Sequence, residues 1–240
     1  MVGGLGNDTY VVDSLGDTVT ELANGGIDTV ESSVTWTLAA NVENLTLTGT
    51  AMAVGFGNDG RNILIGNSAG NVLVGGGDVD TISGEGGGDN MFGGLGNDIL
   101  SGGDGVDVLS GGEGNDRMTG GADADWFLFG YDELAGAGVA RDEILDLDFA
   151  EGDVISLTTL DADPTTDGDQ AFTWAVGNRF TKHAGELTLK YVAATNITTL
   201  EMDIDGDGKA DLRIAITGDH SGTTGNLSTG VGDTDGGWLL

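Results

Sequence analysis

The chain has no cysteine, so no disulfide can brace it and no thiol can act as a nucleophile or a metal ligand. Basic residues are nearly as scarce: 8 Lys and Arg stand against 40 Asp and Glu, a formal net charge of −32. So acidic a surface repels nucleic acid and anionic membranes. No apolar run approaches the roughly 20 residues that span a bilayer. The opening "MVGGLGNDTY" has neither the basic start nor the apolar stretch of a secretory signal peptide. Histidine is limited to His183 and His220, and neither "HExxH" nor "GxSxG" occurs. Zinc-peptidase and lipase-type chemistry therefore have no residues to run on. His183, in "TKHAGELT", reads as a turn residue. Carboxylates are abundant, but none is set apart in an apolar stretch that would raise its pKa for glycosidase chemistry. The chain reads as non-enzymatic.

Glycine is what the sequence has in excess, 46 of 240 residues, where ordinary usage near 7% gives about 17. Acidic, glycine-rich sequence is often disordered, yet 38% of the residues are hydrophobic, too many for an acidic tail. The glycines are also timed. Eight nine-residue units run without a gap from Gly57 to Leu128: "GNDGRNILI", "GNSAGNVLV", "GGGDVDTIS", "GEGGGDNMF", "GGLGNDILS", "GGDGVDVLS", "GGEGNDRMT" and "GGADADWFL". Position eight is always apolar: Leu64, Leu73, Ile82, Met91, Leu100, Leu109, Met118 and Phe127. Position six is Asn62 and Asn71 in the first two units, then Asp80, Asp89, Asp98, Asp107, Asp116 and Asp125.

A repeat this short is one strand and one turn of a solenoid. Positions seven to nine predict a three-residue strand with position eight inward and its neighbours outward. Positions one to six predict the turn, where glycine permits left-handed backbone. Two units complete one coil, so each loop stacks on the loop 18 residues away. One edge then carries Asp80, Asp98 and Asp116, and the other Asp89, Asp107 and Asp125. Stacked strands lie about 4.8 Å apart, and calcium–oxygen distances are about 2.3–2.6 Å. An ion between two loops would reach an oxygen on each. Two carboxylates plus loop carbonyls supply the six to eight hard oxygens that calcium takes, whereas magnesium wants a tighter octahedron and zinc wants His or Cys.

These units resemble the calcium-binding repeats of RTX (repeat-in-toxin) proteins. The resemblance implies an all-β chain folded as a right-handed parallel β-roll that binds several Ca2+ ions. Spacing and resemblance together give the metal-site candidates: Gly76, Asp78 and Asp80; Gly87 and Asp89; Gly94, Gly96 and Asp98; Gly103, Gly105 and Asp107; Gly112, Gly114 and Asp116; and Gly121, Asp123 and Asp125. The first two units depart from the pattern at Asn62, Asn71 and Ala69.

The flanks divide the chain into residues 1–54, an N-terminal β segment that continues or caps the roll; 55–130, the array; 131–219, a β module; and 220–240, a tail. In the first segment "TYVVDS", "DTVTEL", "DTVESSVTWTL" and "VENLTLTG" read as strands. Asp8 and Asp28 read as surface turn carboxylates rather than as an extra ion site. The N-terminal strands are expected to cover Ile63, Ile65, Val72 and Val74, apolar residues at outward positions. Trp126, Phe127, Phe129, Ile144, Leu147, Phe149 and Ile155 are expected at the junction with the third segment. There "RDEILDLDFAEGDVISL", "GELTLKYV", "TTLEMDI" and "LRIAITGD", from about Asp142 to Asp219, resemble the C-terminal module of serralysin-type secreted metalloproteases. "DIDGDGKAD" places Asp203, Asp205, Asp207 and Asp211 in an acidic turn, a plain hairpin with a secondary metal reading; Ile214 occupies the position where an EF-hand loop needs its Glu.

The final "GGWLL" is similar to the uncleaved C-terminal signal of type I secretion, except that glycines stand where an acid usually precedes the apolar residues. That similarity implies an extracellular protein of a Gram-negative bacterium with the type I apparatus as a partner. Because the chain enters directly on a "GGLGND" unit, it reads as the C-terminal part of a longer protein. Two functions are open: a calcium-folded secretion and stability module for an upstream exoenzyme domain, or a surface-associated adhesin, S-layer or polysaccharide-binding module, since alginate epimerases carry similar repeats.

Overall fold

The computed structural model describes residues 1–130, 140–157, 160–164, 171–221 and 238–239. With strands numbered in chain order, successive strands from the second to the fifteenth go to opposite sheets. One sheet runs β1 (Thr9–Val12), β2 (Thr29–Ser32), β4 (Asn44–Leu47), β6 (Ile63–Ile65), β8 (Thr81–Gly86), β10 (Ile99–Asp104), β12 (Arg117–Ala122) and β14 (Ala140–Ile144). The other runs β3 (Trp36–Thr37), β5 (Val54–Phe56), β7 (Val72–Gly76), β9 (Asn90–Leu95), β11 (Val108–Glu113), β13 (Trp126–Leu128), β15 (Val154–Ser156) and β20 (Trp238–Leu239). All these neighbours pair in parallel, and in the array the register offset is 18 residues, as in Leu100↔Ile82 and Leu109↔Met91. Two nine-residue units therefore make one coil of a parallel β-roll.

Register stacks like on like. Tyr10, Val30, Leu45, Leu64, Ile82, Leu100, Met118 and Ile144 form one inward column. Leu73, Met91, Leu109, Phe127 and Ile155 form the other. Every position-eight side chain is at most 1% exposed, and both columns belong to one apolar cluster. Burying each such side chain is worth about 1.5–3 kcal/mol, which is what lets so short a strand hold.

The strands are longer than expected. In β8 to β12 pairing continues from position seven through position three of the next unit, six residues each.

Beyond β14 the first sheet continues through β19 (Leu212–Thr217), β18 (Ile197–Asp203), β17 (Glu186–Val192) and β16 (Thr173–Trp174). β19, β18 and β17 pair antiparallel. This meander ends the solenoid by replacing coil-on-coil stacking with hairpins, a cap over the last core layer. Phe127, Phe129, Ile144, Leu147 and Ile155 are buried at the junction and Phe149 packs against it. Trp126 instead takes the outward position seven and is half-buried. The segments Asp17–Leu22 and Ala53–Gly57 also differ from expectation: the first holds one bridge, Val2↔Thr20, and the second supplies β5.

The N-terminal strands do not cover Ile63, Ile65, Val72 and Val74. They lie beside them, extending the same sheets, with Asn44↔Ile63 and Val54↔Val72 in register. Ile63 stays 45% exposed. A parallel solenoid grows at its edges, so a flanking strand protects an open edge and leaves the outer face to solvent. At the other end, most of the tail, residues 222–237 and 240, lies outside the described residues; Trp238 and Leu239 pair with Ile155 and Ser156.

Candidate metal centre

Alternation along the strand decides where the carboxylates go. Ile82 faces inward, so Asp80 two residues before it and Gly84 two after it face inward as well. Position six is thus not part of an exposed turn, as the unit's glycine content suggested. It is the polar end of the core column. Asp80, Asp89, Asp98, Asp107, Asp116 and Asp125 are each at most 1% exposed.

The two edges expected from the 18-residue period are present. On one, the backbone N–H of Asn62 donates to Asp80 Oδ1, that of Asp80 to Asp98 Oδ1, and that of Asp98 to Asp116 Oδ1, each at 2.7 Å. On the other, Asn71 N–H donates to Asp89 Oδ1 at 2.6 Å, Asp89 to Asp107 at 2.7 Å, and Asp107 to Asp125 at 2.9 Å. One carboxylate oxygen per repeat is therefore committed to the neighbouring coil.

The second oxygen is not. Oδ2 of all six aspartates is buried without a hydrogen-bond partner among the described residues. Burial pushes Asp80, Asp89, Asp116 and Asp125 up from 3.8 to about 7 and Asp107 to about 6, with neighbouring carboxylates adding to the rise in most of them. Asp98 is raised for the same reason. The structure thus holds a regular file of desolvated acceptors with nothing to accept from.

Position one explains its own glycine. A Cβ on Gly75, Gly84, Gly93, Gly102, Gly111 or Gly120 would fall closer than 3.0 Å to Oδ2 of the Asp five residues later. The carboxylate occupies the space a side chain would take. Positions two and four carry the left-handed backbone: Gly76, Gly94, Gly103, Gly112 and Gly121 at position two have φ from 92° to 116°, and Gly87, Gly96, Gly105 and Gly114 at position four from 96° to 147°. Asp78 and Asp123 occupy position four with φ of 63° and 78° and are exposed. They lie in the loop and not in the buried file.

Asn62 and Asn71 show position six without charge. Each Oδ1 accepts a backbone N–H from its own loop, Asn58 at 2.7 Å and Asn67 at 2.8 Å, and each Nδ2 donates to carbonyls of the coil before, as Asn62 does to Val42 and Glu43 at 3.2 Å. The amide satisfies itself where the carboxylate cannot.

The glycines of position one escaped sequence reasoning, and so did the outer members of both columns. Asp116 N–H donates to Asp142 Oδ1 at 2.9 Å, and Asp125 N–H to Asp153 Oδ1 at 3.0 Å. At the N-terminal end Asp8 N–H donates to Asp28 Oδ1 and Asp28 N–H to Glu43 Oε2, both at 2.8 Å. Asp28 is fully buried, not a surface turn residue. Each of these acids sits two residues before a core position, in "DEI", "DVI", "DTY", "DTV" and "ENL". That acid-x-apolar triplet is the readable signal once the Gly-Gly phase is lost.

The acidic turn between β18 and β19 is a different construction. Oxygens of Asp203, Asp205 and Asp211 lie within 4.8 Å of one another. Backbone N–H groups of Gly206 and Gly208 already donate to the two Asp203 oxygens, and those of Ile204 and Asp205 to Asp211 Oδ2. Asp207 pairs with Lys209. His183 is exposed beside the turn into β17, and His220 packs edge-on against Phe149, so the two histidines serve separate places in the cap.

Two endo-1,3-1,4-beta-glycanases of Rhizobium meliloti (strain 1021), ExsH and EglC, are 42% and 38% identical to this chain over 64 residues, 27% of the chain. The match spans only 14% of each glycanase. Among solved structures, the AlgE6R3 subunit of the Azotobacter vinelandii mannuronan C5-epimerase aligns at a TM-score of 0.34 and 23% identity over 70% of this chain and 86% of that one. The AlgE6R2 subunit aligns at 0.34 and 26% over 65% and 86%. The sequence model of the family described as Peptidase M10 serralysin C terminal matches residues 2–227. That match reaches well beyond the Asp142–Asp219 stretch in which the likeness is visible by eye and takes in both columns of buried carboxylates and the cap. The chain belongs to the serralysin C-terminal family, as a β-roll repeat module.

Proposed function

We propose that this chain is a calcium-folded module of a secreted bacterial protein. The observation that carries the reading is the file of buried, unpartnered Oδ2 atoms on Asp80, Asp89, Asp98, Asp107, Asp116 and Asp125. An isolated buried carboxylate is expensive, and like charges stacked coil on coil repel. A cation held by the file removes both costs. The donor set is oxygen only, which suits calcium, and the loop positions Gly76, Asp78, Gly87, Gly94, Gly96, Gly103, Gly105, Gly112, Gly114, Gly121 and Asp123 would add backbone carbonyls to it. Asp203, Asp205 and Asp211 form the weaker candidate, because backbone N–H groups already hold four of their oxygens.

Metal-binding free energy then becomes folding free energy. Where calcium is scarce, the chain stays extended and exportable by the type I route; outside the cell, ions with a Kd of about 10⁻⁴–10⁻³ M close successive coils. The module would stabilise an enzyme domain carried by the same polypeptide, with polysaccharide as that domain's substrate in glycanase-like relatives. Far-ultraviolet circular dichroism tests the switch: metal-depleted protein should gain strong β signal on adding calcium and much less on adding magnesium. An equal β signal in excess chelator would refute it.

A further inference from the structure

The geometry points to a separate binding site for a calcium-like divalent cation in the N-terminal coil, built by Asp8, Glu21 and Asp28. Carboxylate oxygens of the three lie within 4.8 Å of one another. Glu21 is 7% exposed and Asp28 is 0% exposed. Asp28 Oδ1 takes the Asp8 N–H, but Asp28 Oδ2 and Asp8 Oδ2 are buried with no hydrogen-bond partner among the described residues. The group converges over Gly3, where a Cβ would come closer than 3.0 Å to Glu21 Oε1, Asp8 Oδ2 and the Tyr10 hydroxyl. Backbone carbonyls of Gly4 and Leu22 lie beside Glu21, around Gly25.

This is not another turn of the array. β1 and β2 are offset by 20 residues, as in Thr9↔Thr29, and the intervening loop brings in Glu21, which no nine-residue unit contains. Tyr10 donates its hydroxyl hydrogen to Glu21 Oε1, and the Leu22 N–H donates to Glu21 Oε2 at 3.0 Å.

Charge balance supplies a second argument. Residues 1–60 contain no Lys, Arg or His, and the first basic side chain in the chain is Arg61. No side-chain cation of the N-terminal coil can neutralise three converging carboxylates. Hard oxygen donors without His or Cys select a divalent ion of the calcium class over zinc. Such an ion would tie the loop of Glu21 to β1 and β2.

Hydrogen exchange on the full chain, read by segment during a calcium titration, tests this. Protection of residues 1–30 should rise with calcium. Glu21→Gln should shift that rise to about 10-fold higher calcium or more, with segments 81–122 unmoved. Glu31→Gln removes an exposed carboxylate on β2 outside the group and should leave the midpoint of residues 1–30 near wild type. Three results overturn the site: full protection of residues 1–30 without calcium, an unchanged midpoint in Glu21→Gln, or an equal shift in Glu31→Gln. A calcium response in residues 1–30 with none in 81–122 would support this site while sinking the array reading, so the two fail separately.

Discussion

Replacing Asp98 by asparagine should change the sign of its effect with calcium. The amide side chain keeps an oxygen that can accept the Asp80 N–H, the 2.7 Å contact that links the coils. The substitution removes the charge at Oδ2, which is buried and unpartnered, and offers an amide of the kind Asn62 and Asn71 already satisfy at the same repeat position. Without calcium, relief of one unsatisfied buried acceptor is worth about 1–3 kcal/mol, and removing the repulsion from Asp78 adds to it. The calcium-free variant should therefore be more stable than the parent. With calcium at about 100 times Kd, each bound ion contributes roughly 2.7 kcal/mol to the folded state, and Asp98→Asn weakens every ion that the carboxylate helps to hold. The variant should then be less stable by a similar amount. Urea denaturation of both proteins in metal-depleted buffer and in saturating calcium reads the two signs directly, and the stability difference should cross zero at an intermediate calcium concentration. If Asp98→Asn destabilises equally in both buffers, the carboxylate serves only as a hydrogen-bond acceptor and the reasoning is wrong.

Asp98→Ala combined with Asp116→Ala should raise the calcium midpoint more than Asn62→Ala does, because the pair removes two stacked carboxylates and Asn62 none; equal shifts in a circular dichroism titration would refute the register. Gly102→Ala places a methyl against Asp107 Oδ2 and the Gly120 carbonyl and should lower the calcium-saturated melting temperature. Gly60→Ala, whose Cβ meets only Asn58 Oδ1 at 3.4 Å, should leave it nearly unchanged. Leu100→Ala empties a fully buried core position and should cost about 2–5 kcal/mol in calcium. In the calcium-free protein the carboxyls at Asp80, Asp89, Asp116 and Asp125 sit near 7 instead of 3.8. Their folded pKa values are raised, so the folded state binds the extra protons: its stability is fully present below the unfolded value and is lost as pH rises through about 7. Metal-depleted protein should accordingly gain β structure between pH 8 and pH 5, about 1.4 kcal/mol per carboxyl for each pH unit below 7. Small-angle scattering, showing compaction rather than aggregation, checks it.

The array was legible because each demand of the fold falls on a fixed residue of a fixed period. Leu64 to Phe127 recur every nine residues and all face inward, and the 18-residue coil follows from alternation between two sheets. Position six was harder to place. Its company of glycines says turn, but its distance of two from an apolar residue says core face, and in a strand the second relation wins because side chains alternate strictly. Asp142 and Asp153 obey that rule without the glycine phase, since the loops feeding them are longer and the register offsets become 26 and 28 residues, as in Met118↔Ile144 and Phe127↔Ile155. Asp28 obeys it too. A period can be read only where every coil has the same length; a face can be read wherever a strand exists. The Glu21 loop satisfies neither condition. It supplies a carboxylate from outside any strand, the two strands it joins pair at a register offset of 20 residues, and nothing short of the folded path brings Glu21 to Asp28. What sequence alone could still have registered is the missing counter-charge: a stretch of sixty residues with buried acids has no basic side chain of its own to offset them.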